Sequence, residues 1–146
     1  MRLLIVNFTT WIASGAIIGW AFARLDWQSM PPPGFFTRLR RWEQRRFYER
    51  RMFVRRWKDR LPEAGTWFGG ISKRSLPTTG EGRLQRFAAE SLRAERVHLT
   101  FSFVIAVTMS WNRGWWLVAC LGVCAGANLP CIVVARYNRL RLAHLA

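Results

Sequence analysis

The stretch WWLVACLGVCAGANLPCIVVA, residues 115–135, carries no charge in 21 positions. At 1.5 Å per residue it is long enough to cross a bilayer core of about 30 Å. A second uncharged stretch, LLIVNFTTWIASGAIIGWAFA, fills residues 3–23. Between them VHLTFSFVIAVTMSW, residues 97–111, is shorter but extends through Asn112 and Arg113 toward Trp115 and Trp116, where the tryptophans suit the headgroup level. The expectation is an all-α membrane protein with about three transmembrane helices, at residues 3–23, 97–113 and 115–135. The last two form a hairpin, because a short turn forces antiparallel neighbours. The whole chain, residues 1–146, then reads as a single membrane domain. A cleaved signal peptide is the rival reading of the first span, with Arg2 as its basic region and Ala21-Phe22-Ala23 as its cleavage site, although the apolar run is longer than such peptides use.

Charge orients this arrangement. Of 23 basic residues, 18 lie between Arg24 and Arg96, and Arg136, Arg139 and Arg141 follow the third span. Short loops rich in Lys and Arg stay in the cytoplasm. The N-terminus is therefore expected outside, with the basic segment, residues 24–96, and the C-terminus on the cytoplasmic face of a bacterial cell membrane. A net charge of +15 in a soluble chain would suggest nucleic acid. Flanked by membrane-grade segments, the basic stretch points instead to anionic lipid headgroups, and nucleic acid is an unfavoured partner.

Within the basic segment, Pro31-Pro32-Pro33-Gly34 reads as a turn. From residue 35 to 61, helical spacing puts Phe35, Leu39, Trp42, Phe53, Trp57 and Leu61 on one face, interrupted by Arg46 and Arg50, as in an interfacial helix. The same arginines could serve a phosphate-bearing ligand. Five glycines between residues 65 and 82 predict a loop, and helical spacing resumes at Leu84, Phe87, Ala88 and Leu92. Two small-residue pairs, Gly15 with Gly19 and Gly122 with Gly126, suggest that the first span packs on the third. Cys120, Cys124 and Cys131 share one helical face within about 40° and read as small packing residues rather than metal ligands.

Glu90, Arg93, Glu95 and His98 fall within nine residues where the basic segment meets the second span. Residues three apart on a helix can touch, so Glu95 is expected to orient His98, and Glu90 to meet Arg93. A carboxylate beside an imidazole suits a general base that takes a proton from a hydroxyl. Asn128 and Pro130 interrupt the third span, where a polar amide and a freed carbonyl invite either a functional role or an interhelical hydrogen bond. Phosphate-cradling, Cys-x-x-Cys, His-Glu-x-x-His and Gly-x-Ser-x-Gly motifs are absent from the sequence.

Three ordered strings carry a resemblance: Phe53-Val-Arg55-Arg-Trp57-Lys58; then Glu90-Ser-Leu-Arg93-Ala94-Glu95 with His98; then Ala127-Asn128-Leu-Pro130-Cys-Ile-Val-Val with Arg136-Tyr137-Asn138-Arg139-Leu-Arg141. Together, over residues 36–142, the chain resembles the glycosyl-4,4'-diaponeurosporenoate acyltransferase family of bacterial carotenoid biosynthesis. Leu99 and Leu140 stand where that pattern has Trp and Pro.

The resemblance implies a membrane acyltransferase that esterifies a sugar hydroxyl of a glycosylated carotenoid or related glycolipid with a fatty acyl group. Its donor would be acyl-CoA, used as a co-substrate and not as a resident cofactor, and no metal is implied. His98, Glu95 and Glu90 are then the expected catalytic residues. Arg93, Asn128, Arg136, Tyr137, Asn138, Arg139, Arg55, Trp57 and Lys58 are the expected substrate-binding residues. The competing class is a non-catalytic adaptor whose basic segment recruits anionic lipid or a protein partner.

Overall fold

The computed structural model of the chain describes residues 2–62, 66–67, 69–72 and 81–143. The expected glycine-rich loop lies for the most part outside these residues. Among them the regular structure is entirely helical: α1 (Arg2–Ala23), α2 (Arg45–Arg50), α3 (Val54–Trp57) followed by a 3-10 turn (Lys58–Arg60), α4 (Glu81–Thr108) and α5 (Trp115–Leu142). The main packing is α4 against α5, with α1 laid along α4.

α1 and α5 are both long and apolar enough to cross a membrane. Their large side chains face outward: Leu4, Phe8, Ile12 and Ile17 on α1, and Val118, Val123 and Leu129 on α5, are each at least half exposed. Water would penalise such a surface, whereas acyl chains match it, so the chain is membrane-associated. α4 differs from the expected second span. It begins at residue 81, well inside the charged region, and ends at Thr108, short of residue 113. Only residues 97–108 of it are free of charge, about 18 Å of helix against a core of about 30 Å. Two membrane-spanning candidates are therefore present among the described residues rather than three. α4 stops where side chains compete for its carbonyls: Thr108 donates to the Ile105 oxygen, Ser110 to that of Val107 and Asn112 to that of Thr108. Gly114, at φ 56°, then supplies the left-handed residue that reverses the chain.

The expected packing of the two Gly-xxx-Gly pairs does not form. A Cβ on Gly15 would meet Phe101 of α4 at 3.6 Å, while Gly122 and Gly126 have nothing within 4 Å. α1 is held instead by polar groups. Asn7 and Asn112 exchange two amide hydrogen bonds of 2.9 Å, Trp111 Nε1 donates to Asn7 Oδ1, and Asn7 also reaches Cys120 Sγ at 3.5 Å. At its other end, Arg96 of α4 donates to the carbonyls of Pro31 and Pro32 beyond the exit of α1.

The single interfacial helix expected over residues 35–61 is broken into a turn, two short helices and a 3-10 turn. Its apolar face splits accordingly. Leu39 and Trp57 pack on a core of Tyr48, Val54, Tyr137 and Leu140, whereas Phe35, Trp42 and Phe53 stay exposed. The cause is the demand of two α5 arginines for backbone acceptors. Arg136 takes the carbonyls of Phe36 and Arg38, and Arg139 takes that of Thr37. A continuous helix would have committed those oxygens internally.

Candidate functional site

The polar residues of the charged end divide into two groups. The first is a buried ion-pair network. Arg136 uses all five of its N–H donors: Nε and Nη2 on the two Glu43 oxygens at 2.8 and 2.5 Å, Nη1 on Glu95 Oε1 at 2.5 Å, and the remaining two on backbone carbonyls. The second Glu95 oxygen accepts from Arg139. Tyr48 O–H and the Arg40 backbone N–H complete the Glu43 carboxylate. Burial acts to raise the Glu43 carboxyl, but the hydrogen bonds from Arg136, Tyr48 and Arg40 outweigh it and hold it below its ordinary value. The Tyr48 hydroxyl moves up, through burial and its bond to Glu43. Beside this network, Tyr137 O–H and Arg45 both bind Glu49 Oε1. That carboxyl lies lower than usual, chiefly through the Arg45 bond.

The second group faces a cavity of about 790 Å³ between α1, α4 and α5. Its walls are apolar, with Ile18, Phe101 and Val134 among them, and its charged lining is Lys58, Asp59 and Arg93, joined by His98. Arg93 is braced by Glu90 at 2.5 Å, and Lys58 by Asp59 at 2.5 Å. His98 Nδ1 lies 3.0 Å from Asn128 Oδ1. Asn128 Nδ2 donates to the Cys124 carbonyl at 3.1 Å, which turns the amide oxygen toward the ring. Nδ1 must then be the donor, so in the neutral imidazole the basic nitrogen is Nε2. This tautomer follows from the hydrogen-bond network.

The expected contact of Glu95 with His98 is therefore replaced. Glu95 is fully buried with both oxygens on arginines, and the imidazole is paired with Asn128 from the facing helix. The i, i+3 spacing permitted the first pairing, but two guanidinium groups outcompete one imidazole for a buried carboxylate. Glu90 does meet Arg93. Arg136, Arg139 and Tyr137 belong to the network and its adjoining core rather than to the cavity lining, and Asn138 is buried with Arg141 Nη1 at 3.5 Å from its oxygen. Trp57 donates Nε1 to the Met52 carbonyl and packs on the core, so it is separated from Lys58, its neighbour in sequence, which lines the cavity. Arg55 lines a smaller, arginine-rich pocket with Arg50, Phe53, Arg56 and Glu49. Among the described residues no group of three His, Cys, Asp or Glu side chains is placed to hold a metal ion.

Glu43, Tyr48 and Glu49 were not singled out from sequence. Their signal was present, since Glu43 is the first acid after Asp26 in a run of arginines. Asn7, the sole amide in an apolar span, likewise announced a polar partner.

Fold and site together define a helical, membrane-associated protein with an arginine-locked polar head and an apolar cavity that holds a histidine. Residues 32–146 match the family model described as glycosyl-4,4'-diaponeurosporenoate acyltransferase. The chain belongs to that family. Curated proteins of this name from Staphylococcus aureus strains Newman and COL are each 29% identical to it over 103 residues, covering 68% of this chain and 61% of theirs. The chain thus spans about three-fifths of the length of the curated relatives it matches. No solved structure matches it. α1 lies outside the region that the family model covers, although it forms one wall of the cavity.

Proposed function

We propose that the protein is an acyltransferase that esterifies a sugar hydroxyl of a glycosylated carotenoid or related glycolipid with a fatty acyl group, at the cytoplasmic interface of the cell membrane. The observation that carries this reading is His98, held from outside the cavity by Asn128, in the wall of an apolar cavity whose charged lining is Arg93, Lys58 and Asp59. An amphiphilic acceptor and a fatty acyl donor both need an apolar enclosure beside a base. Membership of the family supports the reaction class.

In this mechanism Asn128 holds Nδ1–H, and His98 Nε2 takes the proton of the sugar hydroxyl as its oxygen attacks the thioester carbonyl of an acyl-CoA donor. The tetrahedral oxyanion is stabilised by Arg93, whose fork is fixed by Glu90. Collapse expels the thiolate, which recovers the proton from the imidazolium. Arg136 and Arg139 act by holding the head together. Arg55 and Lys58 bind the phosphate-bearing end of the donor, and the remaining exposed arginines rest on anionic lipid.

The proposed topology keeps the N-terminus outside and the charged head and C-terminus in the cytoplasm; it needs a third crossing, made by the uncharged part of α4 and the turn after it, which the Asn7–Asn112 pair ties to the outer end of α1. Its support is the distribution of basic residues. Reporter fusions at the C-terminus and in the basic segment test it, and a periplasmic signal from either refutes it.

The test of function is transfer of labelled acyl groups to a glycosylated carotenoid acid by membranes carrying the protein. Wild-type membranes should form the ester and His98→Ala membranes at matched expression should not. Equal turnover by the variant would remove His98 from the mechanism.

A further inference from the structure

Among the ten arginines of residues 35–60, two small groups contrast. Arg40 and Arg45 are bound within the fold, to the Phe35 carbonyl and to Glu49. Arg50, Arg55 and Arg56 instead surround an open pocket of about 390 Å³, and all three are exposed. The one acid there, Glu49, already accepts from Arg45 and Tyr137. At the centre stands Phe53 in the left-handed region, at φ 51°, with its ring half exposed and the Arg56 guanidinium 5.2 Å from the ring centroid. A bulky residue pays for that conformation, and neither burial nor a turn hydrogen bond from its own side chain explains it here. Phe53 stands in the link between α2 and α3, and Arg50 from one helix lines the same pocket as Arg55 and Arg56 from the next.

We propose that this pocket binds a phosphoester dianion, with Arg50, Arg55 and Arg56 as its ligands and the Phe53 ring as a platform beside it. Planar guanidinium forks match phosphate oxygens in pairs, and three of them against one carboxylate leave a local charge of about +2 for a doubly charged ligand. Two residues beyond Arg56, Lys58 already lines the apolar cavity. One short segment, residues 55–58, thus carries both a phosphate site and part of the cavity wall. The inference rests on the acyl-donor reading for its choice of a nucleotide ligand, but the binding itself needs no turnover.

Purified full-length protein in neutral detergent would be titrated with adenosine 3',5'-bisphosphate, and separately, in neutral vesicles, with phosphatidylglycerol added in steps. The triple variant Arg50→Gln, Arg55→Gln, Arg56→Gln is compared with a charge-matched control, Arg38→Gln, Arg41→Gln, Arg46→Gln. Helical circular dichroism confirms that both are folded. For the bisphosphate the triple variant should lose at least tenfold in affinity and the control less than twofold; for the lipid, where every exposed arginine contributes, the triple variant should lose at least tenfold more than the control. Arginine-dependent binding of the soluble bisphosphate assigns the pocket to a nucleotide, and arginine-dependent binding of the lipid alone assigns it to a headgroup; both support a phosphoester site. Equal losses in the two variants, or binding of neither ligand, overturns it. Acyl transfer measured in parallel separates the readings, since a wild-type chain that binds the bisphosphate but transfers nothing refutes the enzyme and leaves the site standing.

Discussion

Replacing Glu95 by alanine should destabilise the charged head strongly. The carboxylate is fully buried, and it takes one N–H each from Arg136 and Arg139, whose side chains are 14% and 9% exposed. Removing it leaves two guanidinium groups facing each other in a site that water reaches poorly. Breaking a buried pair in this way costs about 3–5 kcal/mol, most of it the penalty of uncompensated charge. Arg136 keeps Glu43 and two carbonyls, and Arg139 keeps the Thr37 carbonyl, so the lower part of that range applies, about 3 kcal/mol. For a domain of this size that corresponds to a fall in melting temperature of roughly 10 °C. Thermal unfolding of the detergent-solubilised protein, followed by circular dichroism, measures it. High salt should restore little, because buried pairs are weakly screened. The decisive comparison is His98→Ala, which orphans one buried amide oxygen and should melt only about 3–6 °C below wild type, well above Glu95→Ala. A Glu95→Ala variant that melts with the wild type, or a His98→Ala variant that melts as low as Glu95→Ala, would refute the division of the polar residues into network and site.

Three further outcomes are expected. His98→Ala should lower the turnover of acyl transfer by about 10²–10⁴-fold, the usual weight of a general base, and Asn128→Ala should lower it by about tenfold or more with a displaced pH profile, since the ring loses the acceptor that fixes Nδ1–H. For Glu43, whose carboxyl is held below its ordinary value of 4.5, the stabilising contribution is complete above that value and is lost as pH falls through the lower folded value. The amount by which the melting temperature of wild type exceeds that of Glu43→Gln should accordingly be level from neutrality to about pH 5 and shrink below it. At the opposite end, Asn7→Ala and Asn112→Ala should each cost about 1–2 kcal/mol by orphaning the partner amide. The double variant should cost less than the sum by about 0.5 kcal/mol or more, and strict additivity in that cycle would show that the two amides do not pair.

Much of the fold is written in the order of apolar and charged residues. Uncharged runs at residues 3–23 and 115–135 have the length of a bilayer crossing, and their outward-facing Leu, Ile, Val and Phe side chains in the structure follow from that composition. Helical spacing likewise located Glu90 beside Arg93, a contact local enough for the sequence to specify. The family resemblance read from three short strings agrees with the match over residues 32–146.

What the sequence left open are choices between partners far apart in the chain. Glu95 had His98 within reach at i+3, yet it turned to Arg136 and Arg139, more than forty positions away, because charge-assisted bonds to two guanidiniums are worth more in a buried site. The apolar face of residues 35–61 is compatible with one helix, but Arg136 and Arg139 claim the carbonyls of Phe36, Thr37 and Arg38, and the helix gives way to a turn. The glycine pairs suggested α1 on α5, and the amide exchange of Asn7 with Asn112 together with Phe101 against Gly15 placed α1 on α4. Length, polarity and local spacing were legible from residues 3–23 and 115–135. Which helix supplies the partner of His98, and which arginines are left over for a ligand, depended on the packing of α5 against α4, because only there do long-range acceptors compete.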